Sequence, residues 1–274
     1  MGSSRDISNS LKKRRKIVLG RKILIFLSLI VVLLVAFAWF SGSGIWNVNK
    51  IEVAGMSTLN ADDLVQNIQK TIEGKYFYLF SKSNILILPY FGIENSLKKN
   101  FPKIEDTSVR ILGKNSFRVT VLERHPVGIY CSSKEREDRK CYFLDKNGFI
   151  YSEAPNFSGN PFFYFFGGSF SKPIGSVYME NPKFLRLYSL MQKLKDMDFI
   201  PVSLSVLSGG EYEIELKLGG VIYFNEKQAF ENSLENIDSM LRDGAISTST
   251  DFLEKLNHLD LRYGNKVHFD YKTK

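Results

Sequence analysis

Three histidines, two cysteines and three Ser-x-x-Lys matches are the places in this 274-residue chain where metal binding or nucleophilic catalysis could be sought. His125, His258 and His268 have no second ligand or carboxylate at motif spacing, so strand or surface positions are expected for them rather than a metal site. Cys131 and Cys141 cannot complete a zinc site by themselves. They face one another across the charged loop Ser132 to Lys140 and can pair in an oxidising compartment; two reduced thiols are the alternative. Ser10, Ser96 and Ser169 each head an S-x-x-K match, but no S-D-N or K-T-G accompanies them, and serine and lysine are common enough here for chance matches. G-x-S-x-G is absent. Asp145-Lys146-Asn147-Gly148 lacks the repeated acidic ligands of a calcium loop and reads as a tight turn. No catalytic residue, cofactor or metal is expected, and the chain is read as a non-enzyme.

The element that decides where the rest works is the apolar run Ile23 to Phe40. Its eighteen positions, broken only by Ser28, span about 27 Å as a helix against a hydrocarbon core of roughly 30 Å. Residues 1–22 carry eight Lys and Arg against the single Asp6, a local +7 out of the chain's +8. By the positive-inside rule this tail stays cytoplasmic and the C-terminal part is exported. A juxtamembrane basic block suits anionic lipid, while the remainder lacks the excess positive charge that a nucleic-acid surface would need. A cleaved signal with Ala36-Phe37-Ala38 as its processing site is the competing reading. Weight goes to an uncleaved anchor, because the basic segment is long, the run continues through Trp39 and Phe40, and Trp39 and Trp46 sit where interfacial aromatics belong.

After a short linker, residues 41–45, the hydrophobic periodicity predicts an α+β fold in two parts. In the first, a strand with Val48, Ile51 and Val53 stops at Gly55, and Asn60 caps a helix starting at Ala61 with Leu64, Val65 and Ile68 on one face. A second helix runs from Ile93 to Asn100. Two alternating strands follow, Val109 and Ile111 then Phe117 to Val121, joined by Gly113-Lys114-Asn115. In the second part, strands are expected at Val127 to Cys131, Cys141 to Leu144 and Phe149 to Tyr151. The run Phe162 to Phe166 reads as a buried strand, with an exposed binding patch as the alternative. A helix capped by Asn181 with Pro182 in its first turn carries Leu187, Leu190, Met191 and Leu194. Strands near Val202 to Leu207, Tyr212 to Leu218 and Val221 to Phe224 precede a helix with Phe230, Leu234, Ile237 and Leu241 inward. A short helix at Phe252 to Leu256 and strands His258 to Arg262 and Lys266 to Tyr271, turned by Gly264-Asn265, close the chain. A mixed sheet with helices on one face is the simplest assembly.

Several local motifs, in their order, carry a resemblance over almost the whole chain. They are the basic tail and single apolar pass, Ile51-Glu52-Val53-Ala54-Gly55, the junction Glu123-Arg124-His125-Pro126-Val127, the Asp145 to Gly148 turn, and Asp260-Leu261-Arg262-Tyr263-Gly264-Asn265-Lys266-Val267. Together they resemble the bacterial cell-division family FtsQ/DivIB. The resemblance implies a cytoplasmic tail at 1–22, a transmembrane helix at 23–40, a POTRA domain at 46–124 and the family's β domain at 125–274. It implies a non-catalytic scaffold at the division septum that binds FtsB/DivIC-like and FtsL-like membrane proteins and, through them, the septal synthase complex. It also points to a partner-binding surface at Arg262 and Tyr263 with the strand Lys266, Val267, His268, Phe269, Asp270 and Tyr271. The residues agree in part: alternation puts Leu259 and Leu261 on one face, Asp260 and Arg262 on the other, and Tyr263 at the turn, where it is either an interface anchor or a packed corner residue. Two other classes stay in view, a membrane-anchored cell-wall enzyme and a POTRA-containing secretion or assembly factor. The first needs a nucleophile, metal or carboxylate pair; the second usually has several such domains or a barrel.

Overall fold

The computed structural model describes residues 3–41, 44–135, 139–159, 161–226, 230–264 and 266–272. Of the features expected above, Gly42 and Ser43 of the linker, Arg136 to Asp138 of the charged loop and Asn265 of the last turn lie outside them. So do the side chains of Phe230 and of the basic residues before Val18. The protein is mixed α/β, and the chain divides into two compact units between Glu123 and Arg124.

The first unit opens with α1 (Ser3–Ser41), a single helix that takes in the basic tail as well as the apolar run. Within it, Val18–Phe37 is long and apolar enough to cross a membrane. Its described side chains are exposed along the apolar run, and near its end Phe37 meets the ring of Phe80 at 5.7 Å.

Next come β1 (Lys50–Ala54), α2 (Ala61–Ile72), the hairpin strands β2 (Lys75–Tyr76) and β3 (Phe80–Ser81), a 3-10 turn at Ile85–Ile87, α3 (Tyr90–Asn100), β4 (Ile104–Gly113) and β5 (Ser116–Glu123). Asn60 caps α2 as expected, its side chain accepting from the Asp62 amide at 2.9 Å. The sheet order is β1-β5-β4, with β1 parallel to β5 and β4 antiparallel to it. Leu64, Ile68, Ile93 and Leu97 from the helices pack on Phe117, Val119 and Val121 of β5 in one core. Gly55, with φ +85°, ends β1 where a Cβ would stand 2.2 Å from the Val121 carbonyl oxygen, so no larger residue fits without moving the central strand. The expected strand-helix-helix-strand-strand order is present, with the β2–β3 hairpin and the 3-10 turn added between the helices.

The second unit contains β6 (Gly128–Cys131), β7 (Cys141–Leu144), β8 (Ile150–Glu153), β9 (Phe163–Phe166), α4 (Asn181–Asp196), β10 (Pro201–Val206), β11 (Glu211–Leu216), β12 (Val221–Asn225), α5 (Phe230–Arg242), α6 (Thr250–Lys255), β13 (Leu256–Tyr263) and β14 (Lys266–Tyr271). The strands form one nine-stranded sheet in the order β14-β13-β12-β11-β10-β9-β6-β7-β8. Two of its parallel neighbours, β9 with β10 and β12 with β13, are joined by crossovers that carry the helices, α4 in the first and α5 with α6 in the second. All three helices feed the larger core, where Phe184, Leu187, Met191, Ile237 and Leu253 meet Phe165, Leu204, Ile214, Phe224 and Leu259. Period-two alternation sends Ile129, Cys131, Cys141, Tyr164 and Phe166 to a smaller second cluster with Phe143, Phe157 and Phe162. Most of the Phe162 to Phe166 run is therefore a strand with residues buried on both faces, β9 starting at Phe163 and the half-buried Phe162 lying just before it.

Two local expectations need correction. Asn181 is the first helical residue of α4 rather than its cap; Glu180 holds that position without a capping side-chain bond, and Asn181 donates to Asn147 Oδ1 at 2.9 Å. Arg124, expected to close the first part, belongs to the second, where it pairs with the buried Asp145 carboxylate and lies 4.3 Å from the Phe149 ring centre. The Asp145 turn is formed as read, with Oδ1 accepting from the Asn147 and Phe149 amides at 2.8 and 2.9 Å.

Candidate functional site

The C-terminal hairpin β13–β14 forms one border of the nine-stranded sheet, and β14 has no strand beyond it among the described residues. It is a strand because its sequence alternates: Val267 and Phe269 pack on the core, Lys266, His268 and Asp270 stand exposed, and Phe252 of α6 meets Phe269 and Tyr271 at ring distances of 6.4 and 5.9 Å. Both register shifts against β13 place the extra residue on β13, leaving β14 itself regular.

That regularity fixes the direction of its backbone donors. The Lys272 amide bonds inward to the Lys255 carbonyl at 2.9 Å. Counting back by twos, Asp270 and His268 also point inward, and Tyr271, Phe269 and Val267 point away from the sheet. The Tyr271 amide accordingly bonds outside the ladder, to Asp270 Oδ1 at 2.8 Å. Val267 and Phe269 thus combine a core-facing side chain with an outward N–H.

On the face opposite the helices, Arg262 is the centre of a polar cluster. Its Nε and Nη2 donate to the two oxygens of Asp260 at 2.9 and 2.6 Å, and its Nη1 donates to Glu211 Oε2 at 2.7 Å. The guanidinium also lies over Tyr223 and beside Tyr263, 5.1 and 5.9 Å from their ring centres. Asp260 lies on the face opposite Leu259 and Leu261, as alternation places it, and is buried there. Burial pushes its carboxyl up, and the bonds from Arg262 more than reverse this and hold it below the usual range. The same bonds raise the Arg262 guanidinium further. Beside this cluster Tyr263 is open to contact: it is 59% exposed, with His268 edge-on at 5.6 Å.

Of the residues expected to bind a partner, Arg262, Tyr263, Lys266, Val267, His268, Phe269, Asp270 and Tyr271 are thus brought together on one hairpin. Glu211 and Tyr223, which fix Arg262 from β11 and β12, carry no local signal; only the sheet order brings Glu211 to a residue 51 positions later.

At the other side of the same unit, Cys131 and Cys141 are directly opposed on β6 and β7 and joined in a disulfide, with Cα atoms 4.2 Å apart. That spacing is the close, non-hydrogen-bonded type of antiparallel pair. Beside it lies a cavity of about 610 Å³ lined by Lys134, Arg139, Tyr164, Ser203 and Glu215 among others. Of the cations in its lining, Lys134 is held by Glu213 and Glu215, at 2.5 and 2.7 Å, and Ser203 gives its hydroxyl to Glu215.

Neither a known family model nor a curated protein sequence matches the chain.

Proposed function

We propose that this chain is a membrane-anchored, non-catalytic scaffold of the bacterial division complex, of the FtsQ/DivIB kind, which takes up an extended segment of an FtsB/DivIC-like or FtsL-like protein as an added strand beside β14. In this reading α1 crosses the cytoplasmic membrane with its N-terminus inside, the first unit is a POTRA domain, and the second is the β domain that links its partners to septal cell-wall synthesis. The observation that carries the reading is the outward N–H at Val267 and Phe269 on a straight border strand, since a partner segment needs such donors to extend the ladder. The order of motifs along the sequence and the parallel pairing of β1 with β5 support the assignment of the two units.

Co-purification from the native membrane tests it. The wild-type chain should bring down a small coiled-coil division protein, and Phe269→Pro, which deletes an outward donor without removing a ladder bond, should lose it while circular dichroism stays unchanged. Retention of the partner by the folded Phe269→Pro and Val267→Pro variants shows that β14 is not the contact, and the scaffold must then act through its first unit or α1.

A further inference from the structure

The hairpin between α2 and α3 carries an unusual tip. Phe77 and Tyr78 occupy its two central positions with φ of +49° and +60°, and the Leu79 amide closes the turn on the Tyr76 carbonyl at 3.0 Å. Positive φ at both central positions is the geometry that hairpins normally give to Asn-Gly, because bulky side chains are disfavoured there. Here the same positions hold two aromatic rings that are 87% and 95% exposed, followed by Leu79 at 55%. None of these three side chains is in the core of the first unit.

Two observations say what covers them. The ring of Phe80, one residue beyond the tip, lies 5.7 Å from Phe37, the last residue of the apolar span of α1. The strand that leaves the tip is also tied to the chain emerging from α1: Val48 N–H donates to Ser83 O at 2.8 Å and Ile85 N–H to Trp46 O at 2.9 Å. The tip therefore sits at the level where the apolar helix ends. Lys75 and Lys82 flank it, one on each arm of the hairpin, so that aromatic and aliphatic side chains project between two cations. This is the composition of a bilayer interface, with rings at headgroup depth and ammonium groups reaching to water.

From this we infer that Phe77, Tyr78 and Leu79 form a second membrane contact, a shallow apolar tip that enters the headgroup region of the same bilayer that α1 crosses and fixes the tilt of the first unit on the membrane. The inference rests on α1 being a membrane span, and the experiment separates the two. The full chain, with its native cysteines joined, is labelled with an environment-sensitive dye at Ser28→Cys in the span, at Leu79→Cys in the tip itself, or at Asp63→Cys near the start of α2, at the end of β1 remote from α1. Each is placed in phosphatidylglycerol/phosphatidylcholine nanodiscs containing both shallow and deep spin-labelled lipid, because Ser28 lies at the middle of the span and the tip at its edge. Quenching should be strong at 28 and 79 and several-fold weaker at 63. The exchange of Phe77→Asn with Tyr78→Gly keeps a favourable turn while deleting the rings, and should reduce quenching at 79 to the level at 63 without changing that at 28. Quenching at 28 with none at 79, or quenching at 79 that survives the Asn-Gly exchange, overturns the tip and leaves the span standing. Absence of quenching at 28 removes the span and the tip together.

Discussion

Glu123 illustrates how much one carboxylate can decide. Last in β5 and only 5% exposed, it accepts the amides of Ser57, Thr58 and Leu59 at 2.7 to 3.1 Å and the Thr58 hydroxyl at 2.7 Å. Burial opposes its ionisation, yet these donors win and take its pKa from 4.5 to about 2. A group whose pKa is lowered on folding stabilises above its unfolded value and loses that contribution as pH falls toward the folded one. The first unit should therefore lose about 3 kcal/mol between roughly pH 5 and pH 2 through this residue. Glu123→Gln should flatten that dependence and cost about 2 kcal/mol at neutral pH. Fluorescence of Trp46 in a Trp39→Phe background, followed through urea unfolding at pH 7 and pH 3, measures both; equal pH sensitivity in the variant contradicts the assignment. At the partner edge the informative substitution is Tyr263→Ala. It removes an exposed ring while leaving the Arg262 to Asp260 bonds in place, and should weaken partner binding by about 2 kcal/mol or more if the tyrosine is an anchor. Arg262→Ala is a poor probe, since it strands a buried carboxylate.

Elements were legible in the sequence wherever one face alternates or repeats against a single core. The Asn60 cap, the Leu64 to Ile68 stripe, the Phe163 to Phe166 strand and the β13–β14 hairpin all fall where periodicity and turn residues place them. What periodicity could not convey was pairing at a distance. Asp260 reads as outward on a strand, and it is buried because β11 and β12 bring Glu211 and Tyr223 alongside its partner Arg262. The β2–β3 hairpin was illegible for another reason: Phe77-Tyr78 is the opposite of a turn signature, so local propensity argues against the turn that the flanking strands impose. The Cys131–Cys141 link closes the β6–β7 hairpin with a loop of about 10 residues, which by the chain-entropy estimate contributes on the order of 2–3 kcal/mol. Replacing both cysteines with serine should lower the unfolding midpoint of the second unit accordingly. Non-reducing mass spectrometry of protein taken from the native envelope should find the pair 2 Da lighter than the dithiol; free thiols there refute oxidation in the cell.

At the scale of the whole molecule, the proposed topology puts the folded part of the chain beyond α1 on the far side of the membrane from the basic tail. Protease added to spheroplasts should digest everything beyond about residue 46 and spare a tag at residue 1, and a protected second unit overturns the topology. The pairing of β1 with β5 carries a consequence of a different kind. Lys50 of the first strand meets Ser116 of the last, and the Ser57 amide finds its acceptor 66 residues further along the chain. At synthesis rates of about 5–20 residues per second, β1 leaves the ribosome several seconds before its partner strand β5 exists. For that interval Ile51 and Val53 are an open template on a nascent chain, and the unit most in need of a chaperone is the one that is made first.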